Sequence, residues 1–257
     1  MPAPTGITVA RASHEHLTAL VADLDEAALS RPSYDTEWTV AQVLSHLGSQ
    51  AEIFGLYLDA ALGGADVPGT EILQPIWEVW NARSPLTVRD ELATVNDALL
   101  TRIETLPAET AAAFRMTLFG NDIDLDGFAR MRVAEHAVHT WDVAVALDPS
   151  ATVAPEAVDL MIDGMGQVAR YSGRPSGEHF QVRLQTTSPE RDVLVSVADE
   201  VTLAPAEPST AVDGTVELPA EAMLRLVYGR LDPEHTPSVV QSGTRGLDDL
   251  RGTFKGF

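Results

Sequence analysis

The sequence predicts an α+β protein, in which an antiparallel four-helix bundle is followed by a small α+β domain. Before residue 149, four long stretches repeat apolar residues every three or four positions, and four amphipathic helices are what an antiparallel bundle needs. After Asp148-Pro149, short runs alternate apolar and polar residues, which is typical of strands. We therefore expect two domains, at residues 1–149 and 150–257.

The predicted helices of the first half follow from periodicity and from capping residues. Pro107 and Gly63-Gly64-Ala65 would end two of them, and Thr39 and Asp126 can cap the starts of two. The segment from Phe114 to Leu125 is expected to be irregular or briefly extended. The four predicted helices cover Glu15 to Leu29, Val40 to about Leu62, Leu86 to Leu106, and Asp126 to about Leu147.

The second half is predicted to begin with a helix from Pro155 to about Tyr171 and to continue as strands. Ser188-Pro189-Glu190 is a plausible hairpin turn, and Pro219 suits the first turn of a later helix. The predicted strands are Phe180 to Thr186, Val193 to Val197, Val201 to Leu203, and Val212 to Leu218.

Composition limits the classes of function. The 257 residues include 17 Lys and Arg against 38 Asp and Glu, a formal net charge of −21, and Lys255 is the only lysine. Such a chain repels phosphate backbones and anionic membrane surfaces, so nucleic acid and membrane are not expected partners. The absence of cysteine excludes disulfides and a cysteine nucleophile. No signal peptide or long apolar span is visible, and we expect a cytoplasmic monomer.

Three polar residues of the last predicted bundle helix share one face. Glu135 and His139 are four residues apart, and Asp142 follows three residues later. Phe128 and Met131 lie on the same face, so we expect this face to point into the bundle. Burying a carboxylate and an imidazole is costly unless a hydrogen-bond network or a metal ion compensates for it.

His46 is the candidate third partner, because it lies about 110° from the centre of the apolar stripe of its helix and so faces a neighbouring helix. Two histidines and one glutamate suit a divalent ion with open coordination positions, and zinc, iron and nickel all accept such ligands. Asp142 could orient a ligand imidazole. The alternative is an ordinary Glu-x-x-x-His pair on a helix surface.

Two segments of the chain resemble a known family. The tryptophan-led opening of the second helix in the DinB-like superfamily is similar to Thr36-Glu37-Trp38-Thr39-Val40-Ala41-Gln42-Val43-Leu44-Ser45-His46-Leu47. The downstream ligand helix of that superfamily resembles Glu135-His136-Ala137-Val138-His139-Thr140-Trp141-Asp142, most closely in mycothiol-dependent maleylpyruvate isomerases. The resemblance implies that His46, Glu135 and His139 bind a divalent metal, usually zinc, and that an α+β domain follows the bundle.

The resemblance also implies a reaction with mycothiol as cofactor and an electrophilic small molecule as substrate. In the isomerase, a thiolate adds to an activated cis double bond, the bond rotates, and the thiolate leaves to give the trans isomer. Family members use an arginine of the C-terminal domain for the substrate, and Arg225 and Arg230 are candidates here. We prefer Arg230 as the catalytic arginine, because the neighbouring glycine lets the helix end open toward the bundle. Tyr57, on the same shoulder as His46, is the candidate contact to the cofactor, with core packing as the alternative.

Three other functions stay open at this point. A mycothiol S-transferase would use the same metal site but release a stable thiol conjugate. A metal-bound water could instead hydrolyse a substrate without any thiol. A non-catalytic metal- or ligand-binding protein on the same scaffold would need no substrate at all.

Overall fold

The computed structural model describes residues 5–34, 37–118 and 120–256. Thr36, in the segment that carries the family resemblance, and Phe119, in the segment predicted to be irregular, lie outside these ranges. The chain divides into two compact units, Met1–Val153 and Ala154–Phe257. Within the described residues, every helix is too short or too polar to cross a bilayer.

The first unit is built from helices and one short hairpin. Its elements are α1 (Gly6–Val21), α2 (Glu26–Leu29), α3 (Val40–Gly63), α4 (Thr70–Asn81), α5 (Pro85–Glu104), α6 (Ala108–Ala113), β1 (Met116–Leu118), β2 (Asn121–Ile123) and α7 (Leu125–Leu147). The four long helices pack as a ring, with α3 against α5, α5 against α1, α1 against α7, and α7 against α3. This arrangement confirms the helical half of the predicted α+β fold.

Capping explains why the bundle helices begin where they do. Thr39 forms a capping box with Gln42 at the start of α3, and Gly64 ends this helix in the left-handed conformation, as the sequence predicts. The predicted cap of α7 was wrong. Asp124 caps this helix by accepting a hydrogen bond from the amide of Gly127 at 2.8 Å. Asp126 instead accepts a hydrogen bond from the amide of Gly6, which ties the start of α1 to α7.

Two other parts of the bundle differ from the prediction. In one, the apolar periodicity continues across a helix boundary, and in the other it is interrupted within a helix. The first predicted helix is two helices, because Asp25 caps a new helix four residues after α1 ends. Helix α4 was not predicted, since Pro75 lies inside it and no side chain caps its start. Its Trp80 packs so closely on Gly48 of α3 that a Cβ there would lie 2.2 Å from the indole ring.

In the described part of the bundle, two apolar clusters are formed by residues of α3, α5 and α7 together with other elements. The first contains Leu44 and Leu47 of α3, Leu92 of α5 and Val143 of α7. The second contains Phe54 and Leu58 of α3, Leu99 of α5 and Phe128 of α7. Polar side chains of the same three helices contact one another and form what we call the polar layer: His46, Gln50, Asn96, Arg132, Glu135 and His139.

The second unit combines short helices with a sheet. Its elements are α8 (Pro155–Met161), a 3₁₀ turn (Ile162–Gly164), α9 (Met165–Ser172), β3 (Phe180–Thr187), β4 (Arg191–Val197), β5 (Val201–Pro205), β6 (Gly214–Pro219), α10 (Ala220–Val227), β7 (Val240–Gly243) and α11 (Leu247–Thr253). The sheet order is β5-β4-β3-β6-β7. Strands β3 and β6 pair in parallel and the other neighbours are antiparallel, with Val182 opposite Val195 and Val195 opposite Leu203.

The strands predicted in this unit all form, which confirms the α+β class. The Ser188-Pro189-Glu190 turn joins β3 to β4, and α10 begins directly after Pro219. Strand β7 and helix α11 were not predicted. Every residue of β7 is exposed, so its sequence lacks the alternation that marks a half-buried strand.

Candidate metal centre

His46, Glu135 and His139 meet in the polar layer. One potential ligand atom from each lies within 4.8 Å of the others. The Nε2 atom of His46 donates a hydrogen bond to Oε2 of Glu135 at 3.2 Å, and Nε2 of His139 lies 3.9 Å from the same oxygen. The spacing along α7 places Glu135 and His139 one turn apart, and the contact between α3 and α7 adds His46.

The electrostatics of this cluster favour a cation. Burial lowers the pKa of His46, although its hydrogen bond to Glu135 acts in the opposite direction. Burial alone would raise the pKa of Glu135, but hydrogen bonds from His46 and Gln50 and the nearby His139 bring it down to about 2. The cluster therefore offers a carboxylate and imidazole nitrogens, which is a donor set suited to zinc and to other first-row divalent ions. These residues fit the divalent metal that the resemblance implies.

Asp142 and Trp38 hold the two imidazole rings. Nδ1 of His139 donates a hydrogen bond to Oδ2 of Asp142 at 2.8 Å, and the Asp142 side chain is fully buried. This bond fixes the ring so that Nδ1 faces Asp142 and Nε2 faces Glu135. The Trp38 ring stacks on His139 at 6.0 Å and tilts against His46 at 5.2 Å between ring centres. The Trp38 side chain, two residues before α3, thus covers one side of the cluster.

The sequence analysis missed a chain of polar contacts beside these residues. Gln50 donates a hydrogen bond to Oε2 of Glu135 at 2.7 Å, and its own carbonyl accepts one from Arg132 at 3.0 Å. Arg132 also donates to Oδ1 of Asn96 and to the carbonyl of Leu47. The sequence spacing could have indicated this series of polar contacts. Gln50 follows His46 by four residues, Arg132 precedes Glu135 by three, and Asn96 interrupts the apolar stripe of α5.

Tyr57 lies on α3 but away from His46, Glu135 and His139. It follows His46 by eleven residues, which is about 16 Å along the helix axis. Its ring packs against Phe54 at 6.0 Å and against the second apolar cluster. Burial raises the pKa of its hydroxyl group. The contact to a thiol cofactor stays a prediction.

Arg230 belongs to the second unit and lies three residues after the end of α10. Gly229 takes a left-handed backbone with φ of 72°, and a Cβ at this position would lie 2.2 Å from the amide nitrogen of Gly256. The half-buried Arg230 donates a hydrogen bond to the carbonyl of Tyr228 at 3.0 Å. Arg225, the other candidate, is buried and forms a two-point ion pair with Glu221. That pairing uses the edge of the guanidinium formed by Nε and Nη2, and Nη1 donates to the carbonyl of His235 at 2.9 Å. The role of Arg230 stays a prediction.

Two kinds of comparison find similar proteins. Residues 10–144 match the family model of the mycothiol maleylpyruvate isomerase N-terminal domain. The fold is similar to a crystal structure of the mycothiol-dependent maleylpyruvate isomerase, with 17% identity, a TM-score of 0.68, and 94% of this chain and 93% of that chain covered. A crystal structure of a mutant of the mycothiol-dependent maleylpyruvate isomerase gives 16% identity, a TM-score of 0.69 and the same coverage. No curated protein sequence matches the chain significantly.

The matched region contains α3, α5 and most of α7, and therefore the entire polar layer. The family match spans more than half of the 257 residues. The resemblance of the two histidine-containing segments is thereby confirmed at the level of the family. This chain belongs to the family defined by the mycothiol maleylpyruvate isomerase N-terminal domain.

Proposed function

We propose that this protein is an enzyme of the maleylpyruvate isomerase type, which uses mycothiol and a divalent metal ion, zinc, to isomerise an electrophilic cis alkene. The observation that carries the proposal is the convergence of His46, Glu135 and His139 from two helices within the polar layer. Membership of the family supports the enzyme type and the thiol. The absence of cysteine agrees with a nucleophile that is supplied from outside.

The proposed ligands are Nε2 of His46, Nε2 of His139 and the carboxylate of Glu135. A divalent ion held there would lower the pKa of a bound thiol and so would supply a thiolate at neutral pH. Ligation through Nε2 would require His46 to carry its proton on Nδ1 rather than donate it from Nε2 to Glu135. Asp142 keeps the proton of His139 on Nδ1, so that Nε2 stays available. Trp38 shields both rings from water on one side.

We propose that Arg230 binds a carboxylate of the substrate. A diacid is repelled by a chain with a net charge of −21, so its binding requires a local cation. The planar guanidinium group can hold a carboxylate with two parallel hydrogen bonds. We expect Arg230→Lys to raise KM for a dianionic substrate more than it lowers kcat. An equal loss in both constants would contradict the binding role.

We propose Tyr57 as a contact to the part of mycothiol that is remote from its thiol. Its position about 16 Å along α3 from His46 places it beyond reach of the metal but along the same shoulder of the helix. The phenol is protonated at neutral pH because its pKa, which burial raises further, lies well above 7, so the hydroxyl group can donate a hydrogen bond to a sugar. Tyr57→Phe should then weaken mycothiol binding and leave metal binding unchanged.

The central test is a metal-content measurement and a mycothiol titration on the wild type beside His46→Ala. His16→Ala is the matched control, because His16 is an exposed histidine of α1. We expect about one equivalent of metal and saturable thiol binding in the wild type and the control, and loss of both in His46→Ala. A wild type that binds no more metal than His46→Ala would contradict the proposal and favour a non-catalytic protein.

The reaction is tested with mycothiol and a cis unsaturated diacid. Formation of the trans isomer with full recovery of the thiol supports the isomerase. Accumulation of a stable thiol adduct would replace it with the S-transferase, and turnover without thiol would replace it with hydrolysis.

A further inference from the structure

The contacts of Gln50 have a fixed direction. Arg132 carries only hydrogen-bond donors, so the atom of the Gln50 amide that faces it must be the carbonyl oxygen. The amide nitrogen then faces Glu135, whose carboxylate carries only acceptors. An amide placed between a pure donor and a pure acceptor has one satisfactory orientation. Reversing it would bring donor against donor on one side and acceptor against acceptor on the other.

Arg132 is itself held by neutral groups from two neighbouring helices. It donates twice to Oδ1 of Asn96, at 3.1 and 2.7 Å, and once to the carbonyl of Leu47 at 2.9 Å. Arg132 is 1% exposed and Asn96 is fully buried. Within the described residues, no carboxylate forms a hydrogen bond or ion pair with Arg132. Its position is therefore fixed without a direct bond that would draw Glu135 away from His46 and His139.

We propose that Gln50 is a positioning residue for Glu135 and that Arg132, anchored by Asn96, determines which end of the Gln50 amide faces that carboxylate. This inference rests on the proposed function, in which Glu135 is a metal ligand. Gln50 ties Oε2 of Glu135 at 2.7 Å and leaves Oε1 without that constraint. The carboxylate is thus held in one orientation before a cation arrives. Groups that hold ligands in this way typically change metal affinity by about 10- to 100-fold when they are removed.

The test measures metal binding and coordination rather than turnover. Gln50→Met keeps an unbranched side chain but removes the N–H donor. Gln74→Met is the matched control, because Gln74 makes the same amide-to-carboxylate bond, to Glu78 at 2.9 Å, on an exposed helix. We expect Gln50→Met to bind Zn²⁺ and Co²⁺ about 10- to 100-fold more weakly and to change the visible absorption spectrum of bound Co²⁺. Gln74→Met should match the wild type in both measurements.

Arg132→Lys tests the second step and replaces the first variant if Gln50→Met does not fold. A lysine cannot serve Gln50, Asn96 and the Leu47 carbonyl together in the fork geometry of a guanidinium group. We expect a roughly 3- to 10-fold loss of metal affinity with the same direction of spectral change. Native folding is checked by tryptophan fluorescence and circular dichroism.

Each result decides the proposal. Wild-type affinity and spectrum in folded Gln50→Met would overturn the role of Gln50. A loss in Gln50→Met combined with wild-type behaviour in Arg132→Lys would overturn the role of Arg132. If the wild type bound no more metal than His46→Ala, the proposed function itself would fail, and this inference with it.

Discussion

Arg132 in the helical unit and Arg225 in the second unit are both almost fully buried, at 1% and 3% exposure, but their surroundings differ. Arg225 pairs with Glu221, four residues earlier on the same helix, through two hydrogen bonds of 2.7 and 2.8 Å. Arg132 donates to neutral oxygens of Gln50, Asn96 and Leu47, which belong to α3 and α5. The charge of Arg225 is neutralised by a carboxylate one helix turn away, whereas the hydrogen-bond acceptors of Arg132 are all uncharged.

The difference separates a structural charge from one that can serve a site. Burial lowers the pKa of Arg132 to about 10, partly offset by Glu135, so the guanidinium stays charged at neutral pH. Its charge also contributes to lowering the pKa values of His14 and His136. Arg225 and Glu221 form a self-contained pair, so both could be replaced together by apolar residues. Arg132 is connected to the candidate metal ligand Glu135 through Gln50, so its replacement should also affect the metal site.

The largest expected effect is on the paired arginine. Arg225→Met leaves the carboxylate of Glu221, which is only 13% exposed, without its partner. We expect the second unit to lose about 3–5 kcal/mol of stability, the range for breaking a buried ion pair from one side. Urea unfolding followed by far-ultraviolet circular dichroism measures this loss. The double variant Arg225→Met with Glu221→Met should recover much of it, and no recovery would refute local neutralisation.

The same substitution at the other arginine should cost less. Arg132→Met leaves the side-chain oxygens of Gln50 and Asn96 without donors, but it leaves no buried carboxylate unpaired. We expect a loss of about 1–3 kcal/mol. All four tryptophans lie between residues 38 and 141, so fluorescence reports the unfolding of the helical unit. Metal affinity should fall in Arg132→Met and stay unchanged in Arg225→Met. If metal affinity fell in both variants, Arg132 and Arg225 would not differ in their effect on the metal site.

Asp142 extends the comparison to a buried carboxylate of the helical unit, which holds an imidazole instead of an arginine. Asp142→Asn keeps an acceptor for His139 but removes the negative charge. We expect about tenfold weaker metal binding, or about 1.4 kcal/mol, measured by competition with a chelating dye. Asp148→Asn, at the exposed end of the same helix, is the control. Equal affinities in the two variants would contradict an orienting role for Asp142.

The smallest expected effect is on the response to pH. Burial lowers the pKa of His14 from 6.5, and the positive charges of Arg11 and Arg132 lower it further, against Asp97 and Glu15. Because only the unfolded chain takes up a proton just below pH 6.5, the helical unit should lose stability as the pH falls below this value. His14→Gln should reduce that loss, whereas His16→Gln on the exposed side of α1 should not.

The same shift offers a direct probe of the Arg132 charge. In Arg132→Met, the pKa of His14 should rise toward its ordinary value, because one of the positive charges that lower it is gone. Proton NMR titration of the histidine ring measures this change. If the substitution left the pKa of His14 unchanged, the charge of Arg132 would have no electrostatic effect on His14.

The sequence predicted those features that depend on neighbours along the chain. Thr39 and Gly64 define α3 through local caps, and the i,i+4 spacing places Glu135 beside His139. The sequence-based prediction missed the end of α1, because the apolar pattern continues past this helix boundary into α2. It also failed where packing overrides weak local preference, as in α4, whose Pro75 would ordinarily argue against a helix.

Periodicity and spacing therefore predicted the four long helices of the bundle, the alternating strands, and Glu135 beside His139. His46 was added from its position on the shoulder of its helix and from the family resemblance. Only the tertiary structure decided that Arg132 and Asn96 share the polar layer with those ligands and that β7 pairs with β6. The physical reason is distance along the chain. Caps and helix faces form between residues a few positions apart, whereas a buried guanidinium group finds its acceptors on helices 36 and 82 residues away.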